Sequence, residues 1–457
     1  MVSMAEGINF AGEFKLNRAF LESPTGEKID LIKNLSIVEI NIFEDIFKSC
    51  MSGSIIVGDS RDMINKVPII GQELLYLKIS TPSLRNKDEI LDFELTPFYV
   101  HKVSERTEIS TGGQVYELNF VSQEAIVNSR KRLSKSSVGS ISDIVTDILE
   151  NELNTKKQID IESTIGIRKY IIPNVNPLNF ITKLTGEAVA KDSGSPHYVF
   201  YENKHGFHFR SLQNHYEKDI TADFHTGDIG TDEEVTSEPG SGKHLQSYKR
   251  MLEYTVRPNR DLLLHASSGM LGSKVIEHDI FNKKYKVKTY NYFEDGDFFS
   301  NDRLERQKLY SQSALGERDN KLDENLTNST THLIPISRKG EDDAQYTSSG
   351  HITPNQKYKT LLDRQSRFLE LKDGISITMS VNGRTDIAVG DLVFVTVPAV
   401  GTEDGDETFT GEFLISKLRH TFSMLTNQHA ISMEVVKDGI PTFLPSTSTK
   451  AAYSDAF

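Results

Sequence analysis

The last β block of this 457-residue chain repeats the first at a fixed distance. Phe98, Val100, Val103, Tyr116, Leu118 and Phe120 recur as Phe413, Ile415, Leu418, Ile431, Met433 and Val435, each 315 positions later. Both copies follow a glycine-led strand, Ile70-Gly71-Gln72-Glu73-Leu74 in the first and Val389-Gly390-Asp391-Leu392 in the second. Alternation alone would align any two hairpins, because successive strand side chains face opposite sides. A shared intrastrand spacing with a shared glycine lead is a stronger match, and such self-similarity constrains the whole architecture. A weaker match sets Asp45, Phe47 and Gly53 against Asp261, Leu263 and Gly269, 216 positions on, which splits the second copy. Two similar β domains per chain let a threefold trimer present a pseudo-sixfold ring, able to face a hexamer at one end and a trimer at the other.

Elements around the repeat follow from periodicity. Leu35–Phe43, Ser54–Val57, Leu74–Ile79, Phe98–Val103 and Val115–Phe120 alternate as half-buried strands, with a glycine hairpin at Thr111-Gly112-Gly113-Gln114. Ile141, Ile144, Val145, Ile148 and Leu149 then recur at helical spacing, predicting a helix over 142–153 capped by Ser140 or Ser142. A second helix is expected after Pro177, then a hairpin pairing 198–201 with 206–211. Strand-like sequence resumes over 247–256 and 262–265, residues 291–350 are polar, and a helix from Tyr358 ends at Asp373-Gly374. Strands over 375–381, 392–397, 413–418 and 431–436 close the ordered part, and the Ser/Thr/Ala-rich tail from Pro441 reads as extended.

Composition narrows the function classes. Hydrophobic residues are 37 % and charged residues 26 %, enough for about three cored domains. The 52 Lys and Arg against 65 Asp and Glu leave a net charge of −13, which argues against a general nucleic-acid binder. An acidic wall past which DNA slides remains compatible with it. One cysteine, Cys50, excludes an intrachain disulfide framework and a Cys-rich zinc site, and reads as a small buried apolar residue. The N-terminus lacks the pattern of a signal peptide, and no run approaches the ~18 apolar residues of a membrane helix, so a soluble protein without a membrane segment is expected.

Several segments together resemble the baseplate hub family of contractile-tailed bacteriophages, of the T-even type. They are also similar to the first half of type VI secretion spike proteins. The match lies in Ile387-Ala-Val-Gly390-Asp391-Leu-Val-Phe394, Gly411-Glu-Phe-Leu-Ile415-Ser-Lys-Leu-Arg-His420-Thr-Phe422 and Met433-Glu-Val-Val436-Lys-Asp438, with Pro177-Leu-Asn-Phe180-Ile-Thr-Lys-Leu184 similar to the family's mid-chain helix. It spans most of residues 30–440, in motifs that mark structure rather than chemistry. The resemblance implies a β-rich α+β fold of two tail-tube-like antiparallel β-barrel domains with small α/β domains between them. The expected division is 1–128 as the first tube-like domain, 129–244 as a helical and α+β middle domain with an acidic loop, and 245–290 plus 351–440 as the second. Residues 291–350 are then a polar insertion and 441–457 a tail. It further implies a homotrimer in the virion's tail baseplate, assembled in the host cytoplasm, that joins the tail tube or its initiator proteins to a separate spike protein. Baseplate wedge proteins are implied as neighbours, the tape measure protein is a further candidate, and DNA would pass through the channel without specific binding.

Sequence chemistry gives no catalytic, cofactor-binding or metal-ligating residue. His205, His208 and His215 lie close together, but the segment reads as a hairpin with no carboxylate at metal-site spacing. His420 shares a strand face with Leu418 and Phe422 and reads as a buried, hydrogen-bonded histidine, with a pH switch as the sharper alternative. Glu403-Asp404-Gly405-Asp406-Glu407 departs from the twelve-residue calcium loop and reads as a solvated hairpin tip. Asp228, Asp232, Glu233, Glu234 and Glu238 read as solvated too, or as an acidic rim that repels DNA phosphates. The one basic run, with Arg130, Lys131, Arg132 and Lys135, reads as a salt-bridged subunit contact or a solvated face. Paired glycosidase carboxylates need no sequence signature. A tail-associated cell-wall hydrolase therefore stays open beside the structural reading, as does a receptor-binding tail protein.

Overall fold

Alternating strands of the first copy build its sheet in the computed structural model, which describes residues 11–66, 69–81, 90–110, 112–226, 247–258, 261–280, 283–295, 328–336, 358–399, 406 and 409–439. The strands are β1 (Lys15–Glu22), β2 (Lys28–Asp30), β3 (Ser36–Asp45), β4 (Ser52–Asp59), β5 (Leu74–Ser80), β6 (Ile90–Asp92), β7 (Phe98–Ser110) and β8 (Gly113–Ser122). They pair antiparallel in the order β3-β4-β8-β7-β5-β1-β2. Tyr116, Leu118 and Phe120 of β8 point inward, onto Leu75, Leu77 and Phe98 in one apolar core.

The middle of the chain mixes both periods. β9 (Ser136–Gly139) leads to a helix over Ile141–Asp147, whose first turn Ser140 caps by accepting from the Asp143 amide. A wider π-type turn carries it on through Glu152, so the expected helix is present with a change of pitch. β10 (Gln158–Ile161), β11 (Arg168–Ile171), the helix Pro177–Thr185, β12 (Tyr198–Asn203) and β13 (Gly206–Ser211) follow, the last two forming the expected hairpin. β10 runs parallel to β13, β9 pairs with β11, and the helices close over a separate core.

The second copy is interrupted. β14 (Ile220–His225) and β15 (Met251–Pro258) come first, and then an excursion with β16 (Gly272–Asp279), β17 (Lys284–Asn291) and β18 (Thr331–Ile336). After a helix ending at Asp373 the copy resumes as β19 (Ile375–Asn382), β20 (Leu392–Thr396), β21 (Gly411–Ser423) and β22 (Gln428–Lys437). β17-β16-β18 form a sheet of their own, so of residues 245–290 only β15 enters the large sheet, and the polar stretch 291–350 supplies β18. Residues 262–265 are helical rather than extended, because Asp261 caps the turn by accepting from the Leu264 amide. The segments 228–238, 403–405, 407 and 441–457 lie outside the described residues.

Strand register reproduces the repeat residue by residue. In the first hairpin Val100 faces Phe120 and Val103 faces Leu118, with a bulge between Val100 and Lys102. In the second Ile415 faces Val435 and Leu418 faces Met433, with a bulge between Ile415 and Lys417. The Val100 amide donates to the Glu73 carbonyl at 2.9 Å, and the Ile415 amide to the Asp391 carbonyl at 3.0 Å. β4 against β8 matches β19 against β22, and β15 against β19 matches β3 against β4. The outer pair even shares a bulge, between Ile37 and Glu39 in one copy and Met251 and Glu253 in the other. β15 is thus β3 repeated 214 positions on. The expected 216-position match fails because it sets Gly53, inside β4, against Gly269, which lies in the excursion. The copies also differ at the rim, where β1 joins β5 antiparallel and β14 joins β20 parallel.

Candidate functional site

Three joints hold the units together, and the first is a strand seam between the two copies. β21 leaves β20 after Leu414 and from Lys417 runs antiparallel to β3, with Arg419 opposite Phe43 and Thr421 opposite Asn41. This makes one continuous 14-stranded sheet out of two repeats. On its outer face the Asn41 side-chain oxygen accepts from Arg419 Nε at 3.0 Å and Thr421 Oγ1 at 3.1 Å, while Arg419 reaches Glu39 at 3.6 Å. On the inner face His420 Nδ1 lies 3.0 Å from His429 Nε2, and His429 stacks on Phe422 with 4.1 Å between ring centroids. Burial holds the His420 imidazole down at about 3 and His429 well below its usual range, so both are neutral. The predicted buried, hydrogen-bonded histidine is what the structure shows at 420.

The second joint is Glu44, the last inward residue of β3. Its carboxylate accepts from the Lys204 amide at 3.1 Å and the Val389 amide at 3.0 Å, linking the first copy, the middle unit and the second copy. Asn203 Nδ2 donates to the Val389 carbonyl at 3.0 Å, and Lys204 Nζ to the Thr385 carbonyl. His215 Nδ1 lies 2.9 Å from the Gly390 carbonyl. Burial pushes the Glu44 carboxyl up to about 7, against the opposing pull of the Val389 amide and Lys204.

At the third joint Lys157 lies between two carboxylates, 2.5 Å from Glu202 and 2.8 Å from Glu124, all three nearly sealed from solvent. Glu202 also accepts from the Met51 amide at 3.0 Å and from Ser122 Oγ at 2.8 Å, which pins β4 and β8 to the middle unit. Burial alone would lower the Lys157 ammonium, yet Glu202 and Glu124 outweigh it and hold it above its ordinary value. Cys50 is half-buried against the middle core, and burial with the same carboxylates pushes its thiol up, which leaves it a poor nucleophile.

The remaining predicted residues scatter. His208 bridges Asp160 and Asn203, His215 serves the second joint, and His205 sits at the hairpin turn. The basic run is paired in part within the chain: Lys131 meets Glu152, Lys135 meets Asp147 and Glu152, and Arg132 donates to the Asn174 carbonyl. Arg130 is exposed. Among the described residues no group of three or more His, Cys, Asp or Glu side chains is arranged to hold a metal ion. The joints are built to hold strands and units in register. Asn41, Glu44, Glu124, Lys157, Glu202 and Arg419 were not singled out by sequence, and only Glu44 left a signal there, as a carboxylate in phase with Ile40 and Ile42.

Comparison with known proteins gives the arrangement its context. Over 393 residues the chain is 21 % identical to the "Probable baseplate hub protein gp334" of Vibrio phage KVP40, covering 84 % of this chain and 86 % of that one. The likeness is to phage baseplate hubs. No family model matches the chain. Two solved structures of phage-tail proteins share the fold. The tail protein from Neisseria meningitidis MC58 superposes with a TM-score of 0.52 at 10 % identity, over 94 % of this chain and 98 % of that one. The 43 kDa tail protein of prophage MuSo2 from Shewanella oneidensis gives 0.53 at 9 %, over 93 % and 99 %. The β-rich antiparallel fold expected from the sequence is the one found.

Proposed function

We propose that this chain is a structural hub of a phage tail baseplate, a homotrimer whose six β repeats surround a channel. The observation that carries the reading is the seam: two copies of one β unit, matched in register and in two of their bulges, stand side by side in one sheet. Three such chains supply six copies, a number that suits a hexameric tube on one side and a trimeric spike on the other. The likeness to a probable hub protein supports the same role and a place in the virion's tail baseplate. The protein then works by holding shape, with wedge proteins around it and DNA passing through, and without turnover.

The test is the mass of the purified protein, alone and with the candidate spike, together with class averages of the particles. A species of three chains with a central channel is expected. A chain that stays monomeric with the spike present, or that clears cell wall in a zymogram, overturns the reading.

A further inference from the structure

Three consecutive leucines lie on the surface of the second copy. Leu262, Leu263 and Leu264 are 37 %, 82 % and 47 % exposed, in the short helix Leu262–Ser267 that follows β15. The other side of this helix is anchored. His265 is buried, Ala266 packs on the core of the second copy, and Gln365 Nε2 donates to the Ser268 carbonyl at 2.9 Å. The leucines are thus held outward on a fixed support. An exposed apolar run of this kind, in a chain that is 26 % charged, marks a contact surface.

Strand register shows what begins beside it. Pro258, Ile375 and Lys437 stand in one row across β15, β19 and β22. β15 and β22 both run antiparallel to β19, so they leave the sheet at the same end, two strand spacings or about 10 Å apart. Beyond Lys437 the chain stays buried through Asp438 and Gly439. It continues as Ile440-Pro441-Thr442-Phe443-Leu444-Pro445, outside the described residues, and the run 440–449 holds no charged residue. Pro441 and Pro445 bias the residues before them, Ile440 and Leu444, towards extended backbone. Five extended residues span about 17 Å, enough to carry Leu444 from Gly439 across to the leucines. We propose that Ile440, Phe443 and Leu444 lie on Leu262, Leu263 and Leu264 of the same chain, as an apolar strap over this end of the second copy. A segment tethered so close meets the surface at an effective concentration in the millimolar range, which a second copy or a separate partner would have to match. The strap concerns a single chain, so it goes beyond the hub reading and does not rest on it.

The test is the full chain with Leu263→Cys and Phe443→Cys in a Cys50→Ser background, oxidised mildly and run without reductant. An internal disulfide is expected, seen as a faster monomer band on a denaturing gel and as one linked peptide pair by mass spectrometry. The control exchanges Leu263→Cys for Leu425→Cys. Leu425 is 81 % exposed beyond the other end of β22, about 30 Å from Lys437, and should stay unlinked. A chain ended after Gly439 should exchange its 262–267 amides severalfold faster and bind more of an apolar dye. Leu263→Lys in that shortened chain should remove the extra dye binding. Covalent dimers in place of the internal link would put a second copy on the leucines, and no link with unchanged exchange would leave them to a separate partner. Either result overturns the strap and leaves the hub reading as it stands.

Discussion

A carboxylate sealed where three units meet keeps its proton to a higher pH than an exposed one, and Glu44 makes that measurable. Its folded value, raised from 4.5 to about 7, means the folded chain binds more protons than the unfolded chain between those values. Stability from this site is therefore complete below about 4.5 and declines as pH rises through 7, by at most ~1.4 kcal/mol per unit. Glu44→Gln should cancel that slope, so the melting temperature of the natural protein should fall relative to the variant from pH 5 to pH 8. Parallel curves would show that Glu44 is already ionised at pH 5. Glu44→Ala, which strands the Lys204 and Val389 amides, should cost about 2–4 kcal/mol in denaturant melts. His420 and His429 carry the opposite sign. Both are held neutral in the fold, so their contribution is full above 6.5 and is lost as pH falls from there towards 3. Replacing both by Gln should flatten the acid limb of the stability profile, which urea titrations between pH 4 and 7 would show.

Among the elements, the two glycine-led turns share a backbone but not their surroundings. Gly71 has φ of 85° and Gly390 of 89°, the left-handed region that a Cβ disfavours. A Cβ on Gly71 would meet nothing nearer than 3.5 Å, whereas on Gly390 it would lie 2.1 Å from the Tyr201 hydroxyl. Gly71→Ala should thus cost about 1 kcal/mol, from φ alone, and Gly390→Ala clearly more, since Tyr201 must shift as well. Equal losses in thermal melts would refute the difference. This pair also shows what sequence can carry. The repeat was legible because the hairpins keep their period, spacing and glycine, all of which survive in a linear string. Its outer strand was misplaced by two positions because the excursion after β15 breaks the spacing between the outer strand and the next one, and only pairing partners reveal that. The joints were nearly invisible for a similar reason. Lys157, Glu124 and Glu202 are separated by tens of residues and look like ordinary surface charges until folding brings them within 3 Å.

For the whole molecule the question is whether three apolar cores behave as one body. Three apolar clusters can be told apart, but they cross unit boundaries, since Val199, Tyr201, Leu212 and Tyr216 of the middle unit pack in that of the second copy and Phe422 in that of the first; the polar contacts that tie the first copy to the middle unit include the Lys157 cluster and the Glu44 amide bonds. A chain of separately cored units need not unfold in one step, and the coupling comes from what spans the boundaries. Lys157 neutralises two buried carboxylates that together also hold Met51, Ser122 and Thr155. Removing it leaves uncompensated negative charge in a sealed site, which costs about 3–5 kcal/mol. Proton uptake by one carboxylate relieves part of that charge, and parting β4 and β8 from the middle unit to let water in relieves the rest. The loss should therefore fall on the boundary rather than evenly on the three cores. In calorimetry Lys157→Ala is expected to lower the onset of unfolding and to resolve an early transition for the first copy, leaving the later one near its original temperature. A single transition, shifted as a whole, would mean that the strand seam between β3 and β21 already fuses the copies into one cooperative unit and that the cluster merely stabilises it.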